Sequence, residues 1–264
     1  NEAAFVEALY ADLGKSEFEA YTTEIGIVLS DLSLTINKLK SWMKPRRVST
    51  PIIVQPAKST LYPHPLGVNL IISPFNYPIN LTFSPLVAAI AAGNTAIVKT
   101  SELTPHCSAI IEKTINDCFQ QDDVAYVPGE IQETQWLLEQ PFDHIFFTGS
   151  SKVGAIIMEN AAKHLSKVTL ELGGKSPCIV HKDAKLDIAV NRIAFGKFMN
   201  AGQTCVAPDY VLVHKDMKDS LINKLKARII KIFGQSPQSS PDYGRIVSER
   251  HMQRLIKLLP EQGI

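Results

Sequence analysis

The sequence predicts an α/β protein built on a doubly wound parallel sheet, followed by the start of a second α/β domain. Five short apolar segments lack the polar alternation of a half-exposed strand, and a helical stretch separates each from the next. Strands that are buried on both faces and joined by helices are typical of a Rossmann-like cofactor domain. The predicted strands span 68–72, 95–98, 124–127, 144–147 and 168–170.

The composition excludes several classes of protein. The 264 residues carry a formal net charge of +1, so we expect neither nucleic acid nor an anionic membrane as a partner. No run approaches the roughly 20 apolar residues of a membrane span, and the first residues do not form a signal peptide. The four cysteines include no C-x-x-C pair, which favours free thiols in a reducing compartment and no metal site. We therefore expect a cytoplasmic protein.

The chain begins with helices and continues into an extended arm. Apolar residues recur every three or four positions over 1–42, which predicts two amphipathic helices. Five prolines between 45 and 65 then exclude a helix, and 52–54 and 60–62 are short β-prone runs. Strands interrupted by proline occur at sheet edges, so we expect the arm at 49–65 to pair with another chain or with a later part of this one.

The remaining predicted elements divide the chain into three units. We predict helices between the sheet strands at 81–92, 105–119, 131–139 and 150–164. A second region then contains strands at 178–180 and 210–213 and helices at 186–199 and 216–233. The predicted units are a nucleotide-binding domain at 1–48 and 66–172, the arm at 49–65, and the second domain at 173–264.

Cys205 is the candidate nucleophile. It ends the sequence Gly-Gln-Thr-Cys at 202–205, whose glycine and polar residues indicate a turn after a helix rather than a core position. Pro208 prevents the helix from resuming. The other three cysteines lie in predicted helices or strands, where an inert thiol is the simpler interpretation, and they are Cys107, Cys118 and Cys178.

Two further side chains could serve the same chemistry. Glu171 ends an apolar strand and precedes two glycines, so we expect it at the edge of a buried sheet, where desolvation suits a carboxylate to a general-base role. Asn76 lies in a turn bracketed by Pro74 and Pro78, a rigid place for an amide that binds an oxyanion. Each residue has an alternative explanation that is at least as good when it is considered alone. Glu171 could form a salt bridge, and Asn76 could bond its own backbone.

Two other strand ends could bind a nucleotide. Residues 148–154, Thr-Gly-Ser-Ser-Lys-Val-Gly, follow a strand and open a helix, as in a phosphate site at a helix N-terminus, but they lack the G-x-G-x-x-G pattern. Ordinary capping by Ser150 explains this stretch about as well. Lys99 and Glu102 follow another strand and match what the hydroxyls of an adenosine ribose require, although a surface ion pair is an alternative.

Together these motifs resemble the aldehyde dehydrogenase superfamily. Two segments are similar in sequence to those of its class 3 branch, which acts on fatty and aromatic aldehydes. They are 171–177, Glu-Leu-Gly-Gly-Lys-Ser-Pro, and 202–210, Gly-Gln-Thr-Cys-Val-Ala-Pro-Asp-Tyr. The order and spacing of Asn76, Glu171 and Cys205 are also close to those of the family. The resemblance covers essentially the whole chain.

The resemblance implies NAD(P)-dependent oxidation of an aldehyde to a carboxylic acid. Cys205 would form a thiohemiacetal and then an acyl-enzyme, Asn76 and the Cys205 N–H would bind the oxyanion, hydride would pass to the nicotinamide, and Glu171 would activate water. Lys99 and Glu102 would hold the adenosine ribose, with the Glu102 carboxylate favouring NAD over NADP. The other cofactor-binding residues that the resemblance implies are Gly149, Ser150, Val153, Gly154, Leu172 and Gly173.

Two family features do not appear in the sequence. No Glu-x-Phe-Gly-Pro segment, which contacts the nicotinamide ribose in the family, follows Cys205, and the strand that pairs with the arm is missing as well. We therefore interpret the chain as a fragment of a longer, homodimeric enzyme, with the N-terminal part of the catalytic domain at 173–264. Two alternatives stay open: a coenzyme A-acylating relative, against which Glu171 argues, and a non-catalytic fragment that binds a nucleotide or a partner.

Overall fold

The computed structural model describes residues 2–259, which begin with three helices. α1 spans Glu2–Leu13, α2 spans Glu17–Ala20 and α3 spans Gly26–Trp42, and a π-helical turn at Tyr21–Ile25 joins α2 to α3. Leu9 and Leu13 of α1 are fully buried. The prediction of amphipathic helices in this region is confirmed.

The proline-rich arm forms a hairpin. β1 (Arg46–Val48) pairs antiparallel with β2 (Ser59–Leu61), so the arm at 49–65 pairs with the residues just before it, and within residues 2–259 it pairs with no later strand. The expectation of a β-prone run at 52–54 is wrong, because Ile52–Val54 forms a 3-10 turn. Pro51 and Pro56 bracket this turn, and neither has a backbone N–H to contribute to a β-ladder.

Five parallel strands form the main sheet. Their bounds are Val68–Ile72 for β3, Thr95–Lys99 for β4, Val124–Tyr126 for β5, His144–Gly149 for β6 and Lys167–Leu172 for β7. The strand order is β5-β4-β3-β6-β7, and every pairing is parallel. The chain moves outward from β3 to β5 and then returns to the other side of β3, so its direction reverses between β3 and β6. The predicted doubly wound sheet is confirmed.

Helices cover both faces of the sheet. Their bounds are Asn80–Ala91 for α4, Pro105–Cys118 for α5, Ile131–Leu138 for α6 and Ser151–His164 for α7. Ile71 of β3 packs in a buried cluster with residues of α1, α4 and α5, whereas Leu70 and Ile72 pack in a second cluster with residues of α6 and α7. Because successive strand residues face opposite sides, both faces need apolar residues, which explains why the strands show no polar alternation.

A smaller α/β region follows the sheet. Its elements are β8 (Pro177–Val180), α8 (Leu186–Phe198), β9 (Tyr210–Val213), α9 (Lys218–Phe233) and α10 (Glu249–Ile256), with 3-10 turns at Met199–Gly202, Lys215–Met217 and Pro237–Ser239. β8 and β9 are parallel and share a core with α8 and α9. The sequence did not predict α10, a short helix capped by Ser248. Among residues 2–259, no helix combines the length and the hydrophobicity that crossing a membrane requires.

Candidate active site

The turn that carries Asn76 leaves the carboxyl end of β3, the central strand. Ser73, the first residue after the strand, donates a backbone hydrogen bond of 3.0 Å to the Lys99 carbonyl on the neighbouring strand. The Ser73 hydroxyl also accepts a hydrogen bond of 2.7 Å from Thr82 on α4. The turn is therefore tied to the sheet and to the following helix, and Asn76 lies at the point where the strand order reverses.

The loop that carries Cys205 begins with three left-handed residues. The φ angles after α8 are 52° at Asn200, 51° at Ala201 and 79° at Gly202. Glycine adopts this region freely, whereas each of the two other residues does so at a cost of about 1–2 kcal/mol. Backbone strain of this kind clusters at functional sites, where surrounding contacts maintain it.

The side chain of Gln203 fastens this loop to a later segment. Its amide donates a hydrogen bond of 2.9 Å to the Arg245 carbonyl and accepts one of 3.0 Å from the Val247 N–H. Cys205 is exposed, so the predicted turn is confirmed and the thiol is accessible. Cys107, in contrast, is fully buried, and burial raises the pKa of its thiol, which favours the inert form.

The Asn76 turn and the Cys205 loop are in direct contact. The Asn76 amide donates a hydrogen bond of 2.9 Å to the Gln203 carbonyl, and the Tyr77 hydroxyl lies 2.5 Å from Oγ1 of Thr204. Burial raises the pKa of Tyr77 to about 12, and its hydrogen bond with Thr204 opposes this shift. Because Thr204 immediately precedes Cys205, the contact between Tyr77 and Thr204 holds the Cys205 loop against the Asn76 turn.

The Glu171 segment also adjoins the Cys205 loop. A Cβ atom on Gly174 would lie 2.8 Å from the Cys205 carbonyl oxygen, so the two backbones pass closely. The Asp209 N–H donates a hydrogen bond of 2.9 Å to the Ser176 carbonyl. The Glu171 side chain is exposed, so the expectation of a desolvated carboxylate is wrong. The reason is that, in the part of the chain that the structure describes, β7 is the edge strand of the sheet and no strand pairs with its outer side.

Lys99 ends β4, and its ammonium group is buried at the end of the sheet. Nζ donates a hydrogen bond of 2.8 Å to the Thr100 carbonyl and lies 3.7 Å from the Glu102 carboxylate. Burial lowers the pKa of Lys99, and the charge of Glu102 opposes that shift. An ammonium group has three N–H donors, so Lys99 can also donate to a ligand. A buried donor beside a half-exposed acceptor fits a ribose with two hydroxyl groups.

The start of α7 has the features of a phosphate-binding helix terminus. The Ser150 hydroxyl accepts a hydrogen bond of 3.3 Å from the Val153 N–H, which confirms that it caps the helix. Gly149 ends β6 where a Cβ atom would overlap the Phe147 ring. Among the residues described, the buried hydroxyl of Thr148 has no hydrogen-bond partner. The N–H groups at the start of α7 could therefore bind an anionic group, whereas Gly149 is required by the close approach of the Phe147 ring.

Three other predicted cofactor residues lie along the adjoining edge. A Cβ atom on Gly154 would lie 2.8 Å from Cδ2 of Leu172, so this glycine allows α7 to pack closely against β7. Gly173 is exposed, and a Cβ atom there would meet nothing within 4 Å. Gly154 and Leu172 therefore pack together where α7 meets β7, and Gly173 lies exposed just after β7.

A buried ion pair that no sequence motif indicated contacts the Asn76 turn. Lys15 Nζ lies 2.5 Å from the Glu24 carboxylate, and both side chains are completely buried. Lys15 also donates a hydrogen bond of 3.0 Å to the Asn76 carbonyl. Lysine and glutamate in an amphipathic helix usually face solvent, so the apolar spacing gave no reason to select them. The π-helical turn that buries Glu24 carries no sequence signal either.

Comparisons with known proteins identify the family of the chain. The family model described as "Aldehyde dehydrogenase family" matches residues 1–262. The 4,4'-diaponeurosporen-aldehyde dehydrogenase of Staphylococcus aureus (strain NCTC 8325 / PS 47) is 52% identical over 258 residues, which cover 98% of this chain and 56% of that protein. The "Aldehyde dehydrogenase, dimeric NADP-preferring" of Rattus norvegicus is 46% identical over 257 residues, covering 97% and 57% of the two chains.

Solved structures give the same result. The substrate-bound state of Staphylococcus aureus AldH superposes with a TM-score of 0.94 at 51% identity, covering 97% of this chain and 56% of that one. PnpE in complex with nicotinamide adenine dinucleotide superposes with a TM-score of 0.85 at 26% identity, covering 97% and 53%. The chain spans about half the length of the curated relatives that it matches. The family match over residues 1–262, together with these relatives, shows that the chain belongs to the aldehyde dehydrogenase family.

Proposed function

We propose that the protein containing this chain oxidises an aldehyde to a carboxylic acid, with Cys205 as nucleophile and NAD or NADP as cofactor. The observation that carries this proposal is the hydrogen bond from the Asn76 amide to the Gln203 carbonyl. It joins an amide donor at the end of β3 to the loop that presents an exposed thiol. A thiol nucleophile beside an oriented amide is the arrangement that covalent catalysis on a carbonyl requires.

Cys205 and Asn76 act in the first step. The Cys205 thiolate attacks the carbonyl carbon, a C–S bond forms, and the carbonyl oxygen becomes an oxyanion. Asn76 uses one N–H of its amide to bond Gln203, and the other N–H can donate to this oxyanion. The backbone N–H of Cys205 is the second proposed donor. Both donors are held by the fold before the substrate arrives, which is the condition for efficient electrostatic stabilisation.

Glu171 acts in the last step. Its carboxylate takes a proton from a water molecule, which attacks the acyl group on Cys205, and the thiol leaves. The exposed position of Glu171 gives it direct access to water. The close passage of Gly174 and the Cys205 carbonyl supports this assignment, since it holds the two segments side by side.

The residues at the strand ends fit a dinucleotide. Lys99 and Glu102 would hold the adenosine ribose, and the start of α7, with Gly149, Ser150 and Val153, would adjoin the phosphates. Gly154, Leu172 and Gly173 would form the neighbouring wall. Bound NAD or NADP would supply the hydride acceptor. We favour NAD, because the Glu102 carboxylate would repel a 2′-phosphate, although the relative from Rattus norvegicus is named NADP-preferring.

The experiment that tests the nucleophile is Cys205→Ala in the full-length protein. We expect loss of aldehyde-dependent NADH formation, measured by absorbance. Cys118→Ala is the matched control, because Cys118 is also exposed but lies at the end of α5, and it should retain activity. Full activity of Cys205→Ala would refute the assignment. Product analysis with and without coenzyme A separates acid formation from transfer to a thiol.

A second candidate function is nucleotide binding without turnover by the chain on its own. The observation that favours it is that the chain spans about half the length of its relatives. In the proposed division, residues 1–48 and 66–172 bind NAD(P) and 173–264 form part of a catalytic domain. Calorimetry with NAD, run beside the NADH assay, separates the two functions: heat of binding with no NADH formation would identify a binding unit.

We also propose assembly as a homodimer in a reducing compartment such as the cytoplasm. The hairpin exposes Ile52 and Ile53, at 86% and 89% of their surface, which is unusual for isoleucine and typical of a contact surface. A relative from Rattus norvegicus is named dimeric. All four cysteines are free, which supports the reducing compartment. Light scattering of Ile52→Ser/Ile53→Ser tests the assembly, and an unchanged mass would argue against the hairpin as interface.

A further inference from the structure

The buried ammonium group of Lys15 contacts the turn that carries Asn76 in three ways. Nζ lies 2.5 Å from Glu24 Oε1, donates 3.0 Å to the Asn76 carbonyl, and lies 4.1 Å from the centre of the Tyr77 ring. The last contact has the geometry of a cation–π interaction. Lys15 therefore contacts two consecutive residues of the turn, Asn76 and Tyr77.

Glu24 holds the other end of the same turn. Its Oε2 accepts hydrogen bonds of 2.8 Å from the Ile79 N–H and 3.1 Å from the Asn80 N–H, at the start of α4. Burial raises the pKa of Glu24, and the charge of Lys15 opposes the shift. Burying two charged groups seldom stabilises a fold more than apolar residues would. The pair is therefore better explained by a role in orienting the turn than by a role in stabilising the fold.

The Asn76 carbonyl links the Lys15–Glu24 pair to the loop that carries Cys205. Besides the bond from Lys15, it accepts a hydrogen bond of 2.6 Å from the side-chain amide of Asn200. The backbone N–H of Asn200 donates in turn to Glu19 at 2.5 Å. Because two donors fix the Asn76 carbonyl, the orientation of its peptide group, and hence the direction of its side chain toward Gln203, is fixed as well.

We propose that Lys15, with Glu24 as its counter-ion, is a positioning residue that orients the Asn76 amide and couples it to the Cys205 loop. The inference rests on the proposed function, since it assigns the oxyanion donor role to Asn76. Lys15 acts through the Asn76 carbonyl, which Asn200 also bonds, and through Tyr77, whose hydroxyl contacts Thr204.

The test uses a double variant in the full-length protein. Lys15→Met alone leaves Glu24 buried without a counter-ion and risks loss of the fold, whereas Lys15→Met/Glu24→Gln removes both charges and keeps their approximate shape. We expect this variant to keep the wild-type circular dichroism spectrum and to lose kcat by about tenfold or more, with a smaller change in KM. Asp31→Asn is the matched control, because it alters another carboxylate bond between α3 and α4, 2.6 Å to Ser84, away from Asn76.

A double-mutant cycle tests whether the Lys15–Glu24 pair positions Asn76 or only stabilises the fold in general. In an Asn76→Ala background, the Lys15→Met/Glu24→Gln change should cost less activity than in the wild-type background, because the amide that it orients is gone while the backbone contacts to the Cys205 loop remain. An equal loss in both backgrounds would overturn the proposal.

Hydrogen exchange gives a readout that does not depend on turnover. In the double variant we expect faster exchange in both 73–80 and 199–206, and unchanged exchange in β9. Unchanged exchange in 199–206 would overturn the coupling, whatever the activity. Absence of aldehyde oxidation in the wild-type protein would instead refute the proposed function, and the exchange result would still decide whether Lys15 organises the two loops.

Discussion

The side-chain amide of Asn76 donates a 2.9 Å hydrogen bond to the backbone carbonyl of Gln203, 127 residues further along the chain. One partner follows the central strand of the sheet, and the other belongs to the smaller α/β region. A turn held by the sheet thus reaches the loop that presents Cys205. This contact joins the two regions at the point where the strand order reverses, and it brings Asn76 to the loop that carries Cys205.

Asn76→Ala removes the proposed oxyanion donor and the contact with Gln203. We expect kcat for aldehyde oxidation in the full-length protein to fall by about 10²–10³, the usual effect of losing one such donor. Steady-state NADH formation measures it. Asn160→Ala is a suitable control, because that amide bonds only the Ile156 carbonyl and Lys163 on its own helix. Loss of less than about threefold in Asn76→Ala would show that the amide does not stabilise the reacting oxygen.

Glu171→Gln keeps the size of the side chain and removes its basicity. We expect hydrolysis of the acyl group on Cys205 to slow, whereas attack and oxidation remain fast, because only hydrolysis needs the general base. A stopped-flow trace should therefore show one rapid equivalent of NADH followed by slow turnover. An unchanged steady state without a burst would exclude Glu171 as the base.

The sequence was sufficient to predict the sheet and the turns that carry Asn76 and Cys205. The five strands appear where continuous apolar segments predicted them, because burial on both faces leaves a pattern that does not depend on distant contacts. The turns at Asn76 and Cys205 were predictable from local proline and glycine positions. The burial of Lys15 and Glu24 was not, since it depends on a π-helical turn and on the packing of a segment far along the chain. The exposure of Glu171 likewise follows from the place of β7 in the sheet.

The pH dependence of folding should reflect His144. Its ring lies between the side-chain Oδ1 of Asn69 at 2.9 Å and the Thr169 hydroxyl at 2.9 Å, and burial, together with the charge of Lys167, lowers its pKa. An unfolded histidine titrates near 6.5, so below about pH 6.5 the unfolded chain binds a proton more readily than the folded one. Stability should therefore fall as the pH decreases through the lowered folded pKa.

Urea unfolding at about pH 7.5 and about pH 5 measures this effect. His144→Gln should show a smaller loss of stability between the two conditions than the wild-type protein. His64→Gln, at an exposed position, should keep the wild-type dependence. An identical dependence in all three proteins would assign the acid sensitivity to other groups.

Alanine substitutions at two adjacent glycines distinguish a packing effect at the proposed active site from the general effect of adding a side chain. A Cβ atom at Gly174 would lie 2.8 Å from the Cys205 carbonyl, which is backbone and has little room to move, whereas one at Gly173 would meet nothing within 4 Å. We expect Gly174→Ala to lower the free energy of unfolding by about 1–3 kcal/mol, and Gly173→Ala to change it by less than about 0.5 kcal/mol.

The same pair of variants reports on the thiol. Displacement of the Cys205 carbonyl should alter the rate of Cys205 alkylation by iodoacetamide in Gly174→Ala, measured by mass spectrometry of the Cys205 peptide. Gly173→Ala should retain the wild-type alkylation rate, because it leaves the Cys205 backbone in place. Equal stability and equal alkylation in both variants would mean that the Glu171 segment does not pack against the nucleophile loop, and the assignment of Glu171 to the hydrolytic step would lose its structural support.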